Sequence, residues 1–266
     1  MPKDKRNLSE LLFEESMEAH AYTNWTREQP IESKEKRPAY RLEDGGSSWF
    51  FQVKEFEPRT PSLRHGCYDP YRPIRDKINQ TADDLKKYRE YSCSVVLANP
   101  YATLVHIGDP WAMIGAMLGS RVFQFELCAK TDTEYPIEHG FIGSSKRVKY
   151  KRDEPQNPAV SAAIVLSTYP LRQSQIHIAI RDRNRELGRE TSLSEDLEFY
   201  DTIPDGPELR RVRVIVYDNP FARIPLCKNL FRGPFDERWG VDGKFMRRIY
   251  VGEEVRKIEA LLGVAP

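Results

Sequence analysis

Apolar residues recur along this chain at two spacings, and the switches between them predict its elements. From Ser9 to about His20 the spacing is helical. Leu8, Leu11, Leu12, Ala19 and Tyr22 share one stripe, and Ser9 stands where an N-cap belongs. Glu15 falls inside that stripe, while Glu10, Glu14 and Glu18 fall outside it. Glu15 is then either a carboxylate at the stripe's edge that bends back to water, or one aimed into a site between helix and sheet. Residues 28–36 form a polar connection. The spacing then drops to two. Tyr40–Leu42 reads as a short strand, Glu43–Gly46 as turn material and Trp49–Phe56 as an aromatic strand, together a β-hairpin. Alternation puts Phe51 and Val53 on one face and Phe50, Gln52 and Lys54 on the other. With a loop of about four residues, Ala39 lies opposite Gln52. A Gln–Lys pair on a strand this apolar is the feature the rest of the sequence has to explain.

Beyond the hairpin, Pro58–Pro73 is rich in Pro, Gly and Tyr and reads as a long loop. Its Arg59, Arg64, His65, Tyr68, Tyr71 and Arg72 either cover a substrate or simply form surface. A helix follows from about Pro73 to Arg89, with Ile74, Ile78, Ala82, Leu85 and Tyr88 on its apolar face. Arg75, Lys77, Lys86 and Lys87 lie off that face, as a solvated flank or as phosphate contacts. Ser94–Ala98 is a buried strand closed by Asn99-Pro100, and Asp109 caps a helix that runs to Leu118. Arg121–Leu127 and Ala159–Ser167 read as strands, with a Gly- and Pro-punctuated surface excursion between them at 129–157. Residues 172–179 alternate too weakly to assign, and 181–209 are charged enough to be partly disordered or a helical insertion. Arg211–Tyr217 is a strand, 221–240 an aromatic segment docked irregularly, and Gly252–Leu262 a closing helix. The order is that of an α/β fold, a mixed sheet flanked by helices, with a strand-rich C-terminal extension. We divide it into a core over residues 1–128 and an extension over 129–266 that completes or flanks the core.

Composition narrows the function. At 266 residues and 39% hydrophobic content the chain can bury a sizeable core. A net charge of +1 gives no general attraction to nucleic acid, so any such binding has to come from a local patch. No apolar run approaches the roughly 20 residues of a membrane span, and the charged N-terminus lacks the apolar stretch of a signal peptide. The four cysteines are scattered without metal or disulfide spacing, as expected of reduced thiols in the cytoplasm. No phosphate-binding glycine loop follows a strand, and neither HExxH nor GxSxG occurs.

A helix with an inward carboxylate, a hairpin whose second strand ends in Gln52-Val53-Lys54, a basic helix and a buried strand follow in that order. This arrangement resembles the PD-(D/E)xK nuclease superfamily, whose members share a restriction-endonuclease-like core. The segments Pro38-Ala39-Tyr40, Gln52-Val53-Lys54-Glu55-Phe56 and Tyr71-Arg72-Pro73-Ile74-Arg75-Asp76-Lys77-Ile78 are similar to those of one bacterial branch. The likeness covers roughly residues 8–100. It implies a site that binds Mg²⁺ through an Asp at the head of the hairpin and an acidic residue two positions before the lysine. The metal activates a water and neutralises phosphate charge, and the lysine assists the attack.

Carried across, the resemblance makes Lys54, Gln52 and Glu15 the catalytic candidates, with Glu14 as the alternative to Glu15. Gln52 and Glu15 would be the metal ligands, and Arg72, Arg75 and Lys77 the nucleic-acid contacts. Two positions depart from the pattern: Gln52 replaces a carboxylate, and Ala39 replaces the hairpin Asp. Each lost anion weakens an attraction that must overcome the cation's hydration. Two readings follow. One is a fold retained for binding nucleic acid or a protein partner with little or no cleavage. The other is an active Mg²⁺-dependent endonuclease with a rearranged site and a recruited carboxylate such as Asp84.

Overall fold

The structure is a computed structural model that describes residues 6–27, 39–57, 71–101, 105, 107–118, 134–136, 158–202, 210–242 and 245–262. Its strands form one nine-stranded mixed sheet, flanked by helices. In chain order the elements are α1 (Leu8–Ala19), β1 (Trp25–Arg27), β2 (Tyr40–Asp44), β3 (Ser47–Glu55), α2 (Arg72–Asp84), β4 (Ser92–Ala98), α3 (Pro110–Leu118) and β5 (Glu134–Pro136). There follow β6 (Ala162–Pro170), α4 (Leu171–Leu187), α5 (Leu193–Thr202), β7 (Arg210–Asp218), β8 (Glu237–Asp242), β9 (Phe245–Val251) and α6 (Glu253–Leu262). The strand order across the sheet is β1-β2-β3-β4-β6-β7-β8-β9-β5. The sheet therefore runs unbroken through the division at residue 128. Among the described residues no helix is long and apolar enough to cross a membrane.

The hairpin forms as its pattern predicts, with a tighter turn. Asp44 pairs with Ser47, which leaves Gly45 and Gly46 as a two-residue loop. Their φ values of +54° and +79° are those a type I′ turn demands and side chains with a Cβ resist. β4 lies parallel to β3, and β6 lies parallel to β4. Parallel neighbours buried on both faces need unbroken apolar sequence, and every residue of β4 is buried.

Each face of the sheet carries its own core. Phe51 and Val53 join Val96, Ile164 and Val214 under Phe13 and Met17 of α1. On the other face Val95, Leu97, Val165 and Ile215 pack against Ile74 and Ile78 of α2 and Met113 of α3. The first helix is rotated from its expected stripe. Its buried residues are Ser9, Phe13, Glu14, Ser16 and Met17, whereas Leu8, Leu11 and Glu15 are exposed. Asn7 is the N-cap: its side chain accepts from the Glu10 amide at 2.8 Å, and Glu10 accepts from the Asn7 amide at 3.1 Å. Ser9 is freed for another task, because its amide and hydroxyl both donate to Glu55 Oε2, at 3.0 and 2.9 Å. A carboxylate at the start of a helix meets unpaired N–H groups and the positive end of the helix dipole.

The C-terminal half is more regular than its charge suggests. Residues 171–187 and 193–202 are helices, and β8 begins at Glu237, inside the stretch 221–240 where irregular chain was expected, with β9 following it. The three-residue β5 lies in the stretch expected to be a surface excursion and pairs with β9. The expected strand at 121–127 and residues 58–70 of the expected loop lie outside the described residues. At the exit of β7, Asn219 braces the turn by donating to the Val160 carbonyl at 2.8 Å and accepting from the Phe221 amide at 3.0 Å.

The irregular segment after β7 is organised around one side chain. Arg238, on β8, has no solvent exposure. Its Nε and Nη2 donate to the two oxygens of Asp218 at 2.9 and 2.7 Å. Nη1 reaches the carbonyls of Cys227 and Leu230 at 2.8 and 3.4 Å, and Nη2 also reaches that of Leu226 at 3.0 Å. The five N–H groups of a guanidinium are thereby all used. Farther on, the backbone of Gly252 runs so close to Pro234 that a Cβ would sit 2.2 Å from its carbonyl oxygen. Replacing Arg238 with Met should cost about 3–5 kcal/mol, because Asp218 and three carbonyls lose their donor in a buried setting. Urea denaturation measures this, and a loss under about 1 kcal/mol would show that the segment holds its shape without the guanidinium.

Candidate functional site

Strand alternation places Gln52 and Lys54 on the α2 face of β3, because Phe51 and Val53 are committed to the core under α1. The last turn of α2 brings Asp84 to them. Lys54 Nζ donates to Asp84 Oδ2 at 3.0 Å, with the two side chains 13% and 10% exposed. Two nearly buried opposite charges at this distance stabilise each other strongly, and neither tolerates loss of its partner. Gln52 is half-buried beside them. The hairpin register ends at the pair Tyr40–Phe51, and Ala39, which the sequence pattern set opposite Gln52, lies just before β2. Ala39 packs against the apolar cluster under α1.

The other candidates are distributed differently. Glu15 is exposed on the outside of α1 and does not meet Lys54 or Gln52. The carboxylate that α1 turns inward is Glu14, which lies with Phe13 on the side of the sheet opposite Lys54. It accepts from Tyr40 Oη at 2.8 Å and from Arg6 Nη1 at 2.8 Å. The stripe misled because Glu14 and Ser9 are polar groups with buried partners, so a count of apolar positions assigns them to solvent. Burial, and then the hydrogen bond to Glu14, hold the Tyr40 hydroxyl well above its ordinary pKa, which keeps it a donor. Arg72 is exposed and lies 3.7 Å from Asp76, while Arg75 and Lys77 are half-buried on α2. Cys93 is buried, and burial pushes its thiol up to about 12, too high for a nucleophile.

Mg²⁺ does not fit the donors described. A hard cation needs several oxygens, with enough negative charge among them to repay its dehydration. Around Lys54 the donors are the Gln52 amide oxygen and the Asp84 carboxylate, and the ammonium already neutralises the second. Among the described residues no group of three or more His, Cys, Asp or Glu is placed to hold a metal ion. What the arrangement offers instead is a cation and an amide at the end of an apolar strand.

From sequence Asp84 reads either as a surface residue of its helix or as a recruited carboxylate; in the structure it is nearly buried and paired with Lys54. The apolar pattern gives no sign of the polar contacts under α1, although alternation along β3 puts Glu55 on the face opposite Lys54. No protein-family model, no curated protein and no solved structure matches this chain.

Lys54→Met and Asp84→Asn should each destabilise the fold by about 2–4 kcal/mol, because each strands a nearly buried charge. The double variant Lys54→Met/Asp84→Asn should cost less than the sum of the single changes. A double-mutant cycle by urea denaturation reads the difference, and strict additivity would mean that the two groups do not interact.

Proposed function

We propose that this chain is a nuclease-like protein of the PD-(D/E)xK type, which binds nucleic acid and has little or no cleavage activity because its metal site has degenerated. The observation that carries this reading is the ion pair between Lys54 and Asp84, on the strand face that also carries Gln52. The carboxylate nearest the lysine is engaged by it, and the two positions where the resemblance asks for acids hold an amide and a methyl group. A helix, an antiparallel hairpin, a second helix and a strand parallel to the hairpin's second strand support the scaffold part of the proposal. They occur in the order on which the resemblance rests, and a restriction-endonuclease-like core belongs to the same reading. With a net charge of +1, affinity has to come from a local patch, and Arg72, Arg75 and Lys77 on α2 are its candidates.

One observation favours the rival reading of an active Mg²⁺-dependent endonuclease. Asp84 lies where a recruited ligand would have to lie, within reach of the Gln52-Val53-Lys54 strand. In that case the carboxylate exchanges the ammonium for the cation when metal is supplied.

The two readings separate in one set of assays. Supercoiled, linear and single-stranded DNA should remain uncut with Mg²⁺ or Mn²⁺, while binding weakens steeply as salt rises. Arg72→Ala should lower the slope of log K against log salt by about one. Metal-dependent cutting that disappears in Lys54→Ala would establish the enzyme instead. Neither cutting nor binding would leave a protein partner as the role of the scaffold. Ala39→Asp combined with Gln52→Glu should create divalent-cation binding measurable by calorimetry, and none would show that the register argument for Ala39 is mistaken.

A further inference from the structure

At its C-terminal end α1 meets the segment that Arg238 organises, and the junction is a single imidazole. His20 is 8% exposed in its side chain and sits against Asp236, whose side chain is 2% exposed. Nε2 of His20 contacts Asp236 Oδ2, and Nδ1 contacts the backbone carbonyl of Ser16 one turn back along α1. Asp236 also accepts from the Gly233 amide at 2.6 Å on the same oxygen and from the Val214 amide at 3.0 Å on the other. The ring is enclosed as well as bonded. Tyr22 stacks on it with centroids 5.5 Å apart, and Phe231 meets it edge-on.

The hydrogen-bond inventory determines the protonation state of this junction. A carbonyl oxygen only accepts, and the Asp236 carboxylate already accepts from two backbone amides, so both ring nitrogens face acceptors. A neutral imidazole carries one N–H and can satisfy one of them; the imidazolium satisfies both. We infer that His20 is a proton-dependent latch, charged when the protein is folded at neutral pH, which fastens α1 to the 230–236 segment and releases it on deprotonation. Burial alone would push the His20 pKa down, but the hydrogen bond and charge of Asp236, aided by the Ser16 carbonyl, outweigh it, and the net shift is upward.

Among the described residues, the following charged and titratable groups face the junction. Tyr22 follows α1, with Cys227 and Asp44 in electrostatic reach of it. Asp236 and Arg232 come from the organised segment, Tyr250 from β9 and Arg256 from α6. Burial raises both tyrosines above their ordinary value, so neither titrates ahead of His20. The sign follows from the upward shift. The latch is fully engaged below the unfolded pKa of about 6.5 and is lost as pH rises through the higher folded value. Between those limits the equilibrium for opening the junction gains up to about tenfold per pH unit.

The wild-type chain tests this directly. Long-range ¹H–¹⁵N spectra should show His20 with both nitrogens protonated at pH 7 and a titration midpoint above 6.5. Hydrogen exchange, corrected for the intrinsic effect of pH, should show protection of residues 16–23 and 230–236 falling together from about pH 6.5 up to that midpoint and levelling off above it. Protection in β4 should stay unchanged. Asp236→Asn should lower the midpoint and remove the step in protection. A neutral single tautomer at pH 7, or protection at the junction that does not follow the His20 midpoint, would overturn the latch.

Discussion

A guanidinium removed from water needs an acceptor for every N–H it carries, and Arg238 meets that demand with one carboxylate and three backbone carbonyls. The carbonyls belong to Leu226, Cys227 and Leu230, so satisfying the arginine dictates the path of a segment without regular structure of its own. That path delivers Leu226, Leu230 and Phe231 to the apolar cluster beneath α1. It also carries the chain to Asp236, which reaches back to His20. The first helix therefore closes its side of the sheet against residues more than two hundred positions away, and one buried charge holds the contact surface in shape.

The same rule sorts the chemistry of the hairpin. On the α1 side the polar groups are consumed by structure: Glu55 binds the start of the helix, and Glu14 receives Tyr40 and Arg6. On the α2 side Lys54 and Asp84 neutralise each other beside Gln52. A strand that separates its polar residues so completely needs no metal to be stable. This is why the proposed function rests on a retained scaffold and not on retained catalysis.

Much of the fold was legible because burial on a sheet leaves a simple trace. The hairpin, its two faces and the amphipathic face of α2 follow from spacings of two or of three and four, and β4 from the apolar run Val95–Ala98. Alternation also put Gln52 and Lys54 on one face of β3, and the structure adds the pairing of Lys54 with Asp84. Glu15 was misplaced because the hydrophobic stripe of α1 is a poor guide to its buried side. Two of the five residues on that side, Ser9 and Glu14, are there for hydrogen bonds, and their partners Glu55 and Tyr40 lie in distant strands. A window of sequence counts hydrophobicity and does not see such partners.

By itself the sequence determined the local elements and the alternation that sets Lys54 against Val53, since both depend on backbone geometry and nearest neighbours. Tertiary structure alone decided which carboxylates meet which cations. A buried charge is stable only where a partner converges on it, and the partners here come from other elements of the fold: Asp84 for Lys54, Asp218 for Arg238, Asp236 for His20. Those distances follow from strand order and helix placement, which no stretch of the chain specifies alone.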